Sequence, residues 1–142
     1  MTTALRQIQY NEPLFSSMRD ELASAELPTD DLLEGDSRYF ALGDDGFGGL
    51  VDFGEVVLLR SIVVSQARRN RGTGGAILSG LLAEARAMGA REAWLLTTTA
   101  ESFFEKHGFL RTVREGAPKS ITDTSQFQTL CPASAALMCR RL

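Results

Sequence analysis

The spacing best suited to chemistry in this chain is Arg69-x-x-Gly72-x-Gly74, inside the stretch Arg69-Asn70-Arg71-Gly72-Thr73-Gly74-Gly75. Glycines at 72, 74 and 75 let backbone N–H groups approach a ligand with no Cβ in the way. Arg69 and Arg71 add planar donor forks that match phosphate oxygens. The residues that follow, Gly74 to Met88, carry Ile77, Leu78, Leu81, Leu82, Ala85 and Met88 at helical spacing. The turn therefore opens a helix, whose first N–H groups lack intrahelical partners and carry the positive end of the dipole. Such a turn takes an anion, and a diphosphate suits it best. A Walker loop would need Lys-Ser/Thr after its second glycine, where the chain has Gly75-Ala76. A dinucleotide fingerprint would need glycine at position 77, which is Ile77.

Upstream of the turn, Leu58-Leu59-Arg60-Ser61-Ile62-Val63-Val64 is an apolar, β-branched run and reads as a buried strand beginning near Glu55. Arg60 interrupts it, and a buried arginine is costly unless it meets an anion. Strand alternation places it on the face of Leu58 and Ile62. Two readings stand: Arg60 grips the carboxylate of an amino-acid-like substrate, or it pairs with an acid such as Glu55 or Asp52. Glu55 is also a candidate general base.

The remaining elements follow from pattern. An edge strand is expected within Thr3 to Tyr10, then a helix from Pro13 with Leu14, Met18 and Leu22 inward. Thr29 to Leu33 reads as a capped turn of helix ended by Gly35. Strands Arg38–Leu42 and Phe47–Phe53 form a hairpin across Gly43-Asp44-Asp45-Gly46. Glu92 to Thr97 is a further strand, parallel to the central one because a helix crosses between them. Thr98 to Glu101 fits a capping box for a helix carrying Phe103, Phe104 and His107 and closed by Gly108. His107, the single histidine, suits a helix C-terminus. Ser134 to Leu142 reads as the last strand.

Bulk properties bound the function. The 142 residues make one domain with a substantial core, and a net charge of −3 with pI about 5.2 argues against a nucleic-acid surface. No apolar run approaches a membrane span, and no secretory leader pattern opens the chain, so a cytoplasmic location is expected. Cys131 and Cys139 make neither a disulfide framework nor a zinc site, and no metal is expected.

Two segments in this order carry a family resemblance. Arg69-x-x-Gly72-x-Gly74 resembles the Q/R-x-x-G-x-G/A acetyl-CoA motif of GNAT N-acetyltransferases, and Phe103-Phe104-Glu105-Lys106-His107-Gly108-Phe109 resembles their F-Y-E-K-x-G-F stretch. The tail, with Thr97-Thr98-Thr99-Ala100, Pro118-x-x-Ile121, Gln126-Phe127 and Cys131-Pro132-x-Ser134-Ala135, is similar to the arsenic-resistance branch of that family. It is more distantly similar to the acetyltransferase domain of N-acetylglutamate synthases.

The resemblance implies a single α/β (α+β) domain over residues 1–142. Its central sheet would be mixed and mostly antiparallel, with one splayed parallel strand pair and flanking helices. It implies that acetyl-CoA is the cosubstrate, held by Arg69, Asn70, Arg71, Gly72, Thr73, Gly74 and Gly75. Pantetheine would lie along the backbone of Ile62, Val63 and Val64, with Phe104 beside it. Phe104 stands where the family often has a tyrosine that protonates the leaving thiolate, so that role is vacant or has moved. Ser102, Thr98 and Ser134 are the nearby hydroxyls. The expected partners are a small-molecule amine acceptor and, for assembly, a second copy of the chain. The alternative is a non-catalytic acyl-CoA-sensing module of the same fold; a protein-lysine acetyltransferase ranks below both.

Overall fold

The computed structural model describes residues 5–69, 71–130 and 134–142. One seven-stranded sheet runs through it. In chain order the strands are β1 (Arg6–Ile8), β2 (Ser37–Leu42), β3 (Gly46–Asp52), β4 (Val56–Val64), β5 (Glu92–Thr97), β6 (Leu110–Arg111) and β7 (Ala136–Arg141). Their order across the sheet is β1-β2-β3-β4-β5-β7-β6, antiparallel except for the parallel pair β4–β5. The helices are α1 (Pro13–Ser24), α2 (Thr73–Ala87), α3 (Glu101–Lys106) and α4 (Lys119–Thr122).

The two faces of the sheet have different cores. Helix α2 turns Ile77, Leu78, Leu81, Leu82 and Ala85 onto one face, where they meet Leu50, Val57, Leu59, Leu95 and Met138. It lies close because Gly48 leaves room: a Cβ there would stand 2.8 Å from both Ile77 and Leu81. On the opposite face α1 packs Phe15, Met18 and Leu22 against Tyr39, Phe47 and Val63. Beside it, Ile121 of α4 packs with Val51, Leu58, Trp94 and Leu137.

Central strand β4 is irregular in a way its sequence does not announce. Gly49 pairs with Arg60 and Phe47 with Val63, so Ser61 and Ile62 together oppose Gly48. Ser61 is the bulged residue, with φ +57°. A non-glycine residue in this left-handed region costs about 1–2 kcal/mol. The extra residue reverses the alternation. Arg60 stays on the α1 and α4 side with Leu58, whereas Ile62 packs on the α2 side with Val57 and Leu59. The expectation that Arg60 and Ile62 share a face is therefore corrected.

Three local expectations also change. Residues 30–33 form turns and not a helix. In α1 Phe15 is buried and Leu14 only partly so. The capping box does not form: α3 starts at Glu101 with Ala100 as its cap residue, and the Thr97 hydroxyl accepts the Ala100 N–H at 3.1 Å. Glu101 instead pairs with Arg111. No helix among the described residues is long and apolar enough to cross a membrane.

Candidate functional site

β4 and β5 are registered only from Val56↔Glu92 to Leu58↔Trp94. Beyond that point β5 continues with β7 alone, through Leu95, Leu96 and Thr97, and β4 continues with β3. The two strands part, leaving a V-shaped notch. Ile62 and Val64 on one side and Leu96 and Thr97 on the other are half-buried at its edges. β4 runs toward the open end of this notch and the glycine-rich turn follows it directly, at the mouth; α2 then carries the chain back to the closed end, where β5 begins.

That turn leaves backbone donors without partners in the helix. Gly72 caps α2 with φ +76°, a conformation that disfavours any Cβ, and no side chain caps the helix. The first intrahelical bond runs from the Ala76 N–H to the Gly72 carbonyl. The N–H groups of Thr73, Gly74 and Gly75 therefore stand ahead of it, at the positive end of a 15-residue helix. Arg69 and Arg71 are exposed beside them, and Arg69 Nε donates to the Val64 carbonyl at 3.3 Å, tying the turn to the end of β4. The β2–β3 turn supports the same loop: Ser65 N–H donates to the Asp45 carbonyl, and Arg68 pairs with the Asp45 carboxylate at 3.1 Å. Asn70, expected in this set, lies outside the described residues, as do Cys131 and Pro132.

α3 closes one side of the loop. The Phe103 and His107 rings lie 4.8 Å apart on one helix face, and a Cβ at Gly74 or Gly75 would meet them at 3.4 Å. The i,i+4 spacing of Phe103 and His107 is the sequence signal that could have found them. Phe104 points the other way, buried in the α2-side core against Phe103 and Phe109. Glu55 is not brought to the notch. It is exposed at the closed end of the V, where its carbonyl accepts the Arg91 and Glu92 N–H groups. Six residues, Val56 to Ser61, lie between it and Ile62, a span of up to roughly 23 Å of extended chain.

Arg60 has a partner the sequence did not suggest. Its Nη2 and Nη1 meet Asp31 Oδ1 and Oδ2 at 2.5 and 2.8 Å, with both side chains buried. Nη1 also reaches the Asp31 carbonyl at 3.3 Å, and Nε donates to Ser61 Oγ at 3.1 Å. With its amide oriented to satisfy both groups, Gln126 accepts from Arg60 Nε and Nη2 at 3.3 and 3.1 Å. The guanidinium donors are thus spent within the protein. Neither Glu55 nor Asp52 is the partner, and Asp52 pairs with Arg38 at 3.3 Å.

Next to this network, on the same sheet face, lies a cavity of about 240 Å3. Val51, Leu58 and Arg60 line it from the sheet, with Asp31 and Glu34 on one side and Asp123 and Thr124 on the other. The two walls are joined: Glu34 accepts from the Ser125 N–H at 3.1 Å and from the Ser125 hydroxyl. Those bonds hold the Glu34 carboxyl below its usual pKa. Leu58 is also the last residue of β4 paired with β5, so the cavity adjoins the apex of the notch.

Comparison with known proteins agrees with this geometry. The profile of the acetyltransferase (GNAT) domain family matches residues 35–111, more than half of the chain. No curated protein matches it in sequence. Among solved structures, N-acetylglutamate synthase from Neisseria gonorrhoeae, complexed with coenzyme A and N-acetyl-glutamate, superposes with a TM-score of 0.76 at 17% identity. That match covers 98% of this chain and 35% of the synthase, so the chain spans about a third of that relative's length. Rv2747 from Mycobacterium tuberculosis, complexed with CoA, gives 0.75 at 18% identity over 98% of this chain and 99% of the other. An aminoglycoside 6'-N-acetyltransferase complexed with coenzyme A gives 0.70 at 15% identity over 96% of both chains. With the family profile spanning the hairpin, the splayed strand pair, the glycine-rich turn and α3, the chain belongs to the GNAT acetyltransferase family.

Proposed function

We propose that this GNAT acyltransferase uses acetyl-CoA to acetylate the amine of a small acceptor. The observation that carries the reading is the placing of the Gly72 turn at the mouth of the β4–β5 notch. The N–H groups of Thr73, Gly74 and Gly75, with Arg69 and Arg71, take the CoA diphosphate. Pantetheine then runs into the notch along Ile62–Val64, and a backbone N–H there polarises the thioester carbonyl. A neutral amine attacks that carbon, its nitrogen gives up a proton to water, the C–S bond breaks, and the CoA thiolate leaves. Phe104 is apolar and buried and cannot protonate it; the thiolate takes its proton from water.

The acceptor enters from the face that carries the cavity. A carboxylate-bearing acceptor held by Arg60 is not supported, because Asp31 already occupies that guanidinium. The synthase that this chain resembles in fold was solved with N-acetyl-glutamate, and at 17% identity that ligand does not transfer. A resistance-type role rests on the sequence likeness alone, so the assay panel includes phosphinic and arsenical amino acids.

The test is CoA thiol release from acetyl-CoA with a panel of amines, beside the acetyl-CoA Kd. Turnover above hydrolysis with at least one amine is expected. Tight acetyl-CoA binding with no turnover on any amine would favour the sensing module, the reading that the missing tyrosine at Phe104 motivates.

A further inference from the structure

We propose that Arg60, held by Asp31, is a positioning residue for acetyl transfer: it clamps Ser61 in the left-handed bulge and so aims the backbone of Ile62–Val64 into the notch. The inference rests on the acetyltransferase reading above. Ser61 is buried, is not glycine and has φ +57°, so its conformation needs support from outside its own backbone. The Arg60 Nε bond to Ser61 Oγ, at 3.1 Å, is that support.

Arg60 in turn cannot swing away. Asp31 fixes its two terminal nitrogens side by side, and Gln126 closes on Nε and Nη2. The bidentate geometry sets the guanidinium plane and therefore the direction of Nε. What the clamp controls lies immediately downstream. The bulge is where β4 changes phase, between Arg60, registered with Gly49, and Val63, registered with Phe47. A bulge relaxed to extended backbone would rotate the peptide groups of Ile62–Val64 relative to the notch. An N–H donor misaimed by about 1 Å loses much of its hold on a developing oxyanion.

A merely structural ion pair predicts something different. Replacing it with apolar side chains of similar size would leave both fold and rate intact. The decisive protein is therefore Arg60→Met/Asp31→Leu, which removes the pair without stranding a buried charge, with and without Ser61→Gly. Melting temperature, acetyl-CoA Kd, kcat and KM for acetyl-CoA, and the infrared carbonyl stretch of bound acetyl-CoA are measured for each. The expected result for the double variant is a folded protein with acetyl-CoA Kd within about twofold of wild type. Its kcat falls at least about tenfold, and its thioester stretch returns toward the solution value. Adding Ser61→Gly restores most of kcat, because glycine holds the left-handed conformation unaided.

Arg60→Lys is the second variant. It keeps a charge opposite Asp31 but cannot also span to Ser61, and it gives the same loss and the same rescue. Unchanged kcat and carbonyl stretch in the double variant would overturn the proposal. So would a loss that Ser61→Gly does not repair, since the pair would then act only as a wall of the cavity. A wild-type protein that binds no acetyl-CoA would sink the acetyltransferase reading itself, and the clamp with it. Turnover that ignores both variants would sink the clamp alone.

Discussion

Asp31 meets Arg60 across 29 residues of sequence, with both carboxylate oxygens on the guanidinium and both side chains sealed from solvent. The contact ties the connection between α1 and β2 to the central strand beside the bulge. It also neutralises Arg60, which is buried in the central strand. The cost of desolvating two ions is offset only while both are present.

Removing one partner should therefore cost far more than removing both. Asp31→Ala is expected to destabilise the fold by about 3–5 kcal/mol, because Arg60 is left buried and unpaired. Arg60→Met/Asp31→Leu should lose less, about 1–3 kcal/mol, because it strands no charge and leaves only the Gln126 amide oxygen and the Ser61 hydroxyl without their donor. Urea denaturation followed by circular dichroism checks both; equal losses in the two proteins would contradict the account.

Gly72 is expected to tolerate asparagine better than valine. Its φ of +76° excludes a β-branched side chain without strain of about 1–2 kcal/mol, and that strain falls on the turn that presents the N–H groups. Gly72→Val should weaken acetyl-CoA binding roughly tenfold, and Gly72→Asn by less. Isothermal calorimetry reads the difference, and equal affinities would mean that the turn does not hold the ligand.

Arg69→Ala and Arg71→Ala should each weaken CoA binding, by about threefold to tenfold for exposed charge-assisted contacts. The loss should shrink as salt is raised from 0.05 to 0.5 M, since these side chains are exposed and screened. Dephosphorylated pantetheine analogues should bind wild type and variants alike. A loss independent of salt would place the two arginines in the fold and not at the diphosphate.

Glu34 gives an acid-side signature. Its carboxyl pKa is lowered chiefly by the Ser125 hydroxyl, then by the Ser125 N–H. A depressed folded pKa stabilises the fold above the unfolded value, about 4.3, and this stability is lost as pH falls through the folded pKa. Ser125→Ala should therefore be less stable than wild type at pH 7, with the gap closing below about pH 4. A gap constant down to pH 3 would assign it to packing.

Tyr39 gives the alkaline counterpart. Burial pushes its hydroxyl up to about 12, and that hydroxyl donates to the Leu32 carbonyl at 2.6 Å. A raised folded pKa contributes stability that is complete below the unfolded value, about 10, and is lost as pH rises toward 12. Tyr39→Phe should flatten the fall in stability across that window, as read by denaturation at pH 9, 10 and 11. An unchanged slope would place the alkaline transition in other groups.

Most elements of this fold are local statements, and the sequence alone carried them. The Gly43–Gly46 turn between alternating strands, the helical spacing of Ile77 to Ala85 and the apolar run of β5 each depend on residues near one another, so pattern and propensity sufficed. The glycine-rich turn before α2 was legible for the same reason. Its glycines and arginines lie within seven residues, and the strand before and helix after are themselves periodic. What only tertiary structure decided is long-range. The bulge at Ser61 arises from the register between β3 and β4, and a serine carries no mark of positive φ. That single extra residue moved Ile62 to the face opposite Arg60. Asp31 and Gln126 became the partners of Arg60 because a connection after α1 and a π-helical turn at Gln126–Leu130 fold over one sheet face. Charge alone made Glu55 and Asp52 equally plausible, since Coulomb attraction has no sequence signature until the chain brings a carboxylate within reach.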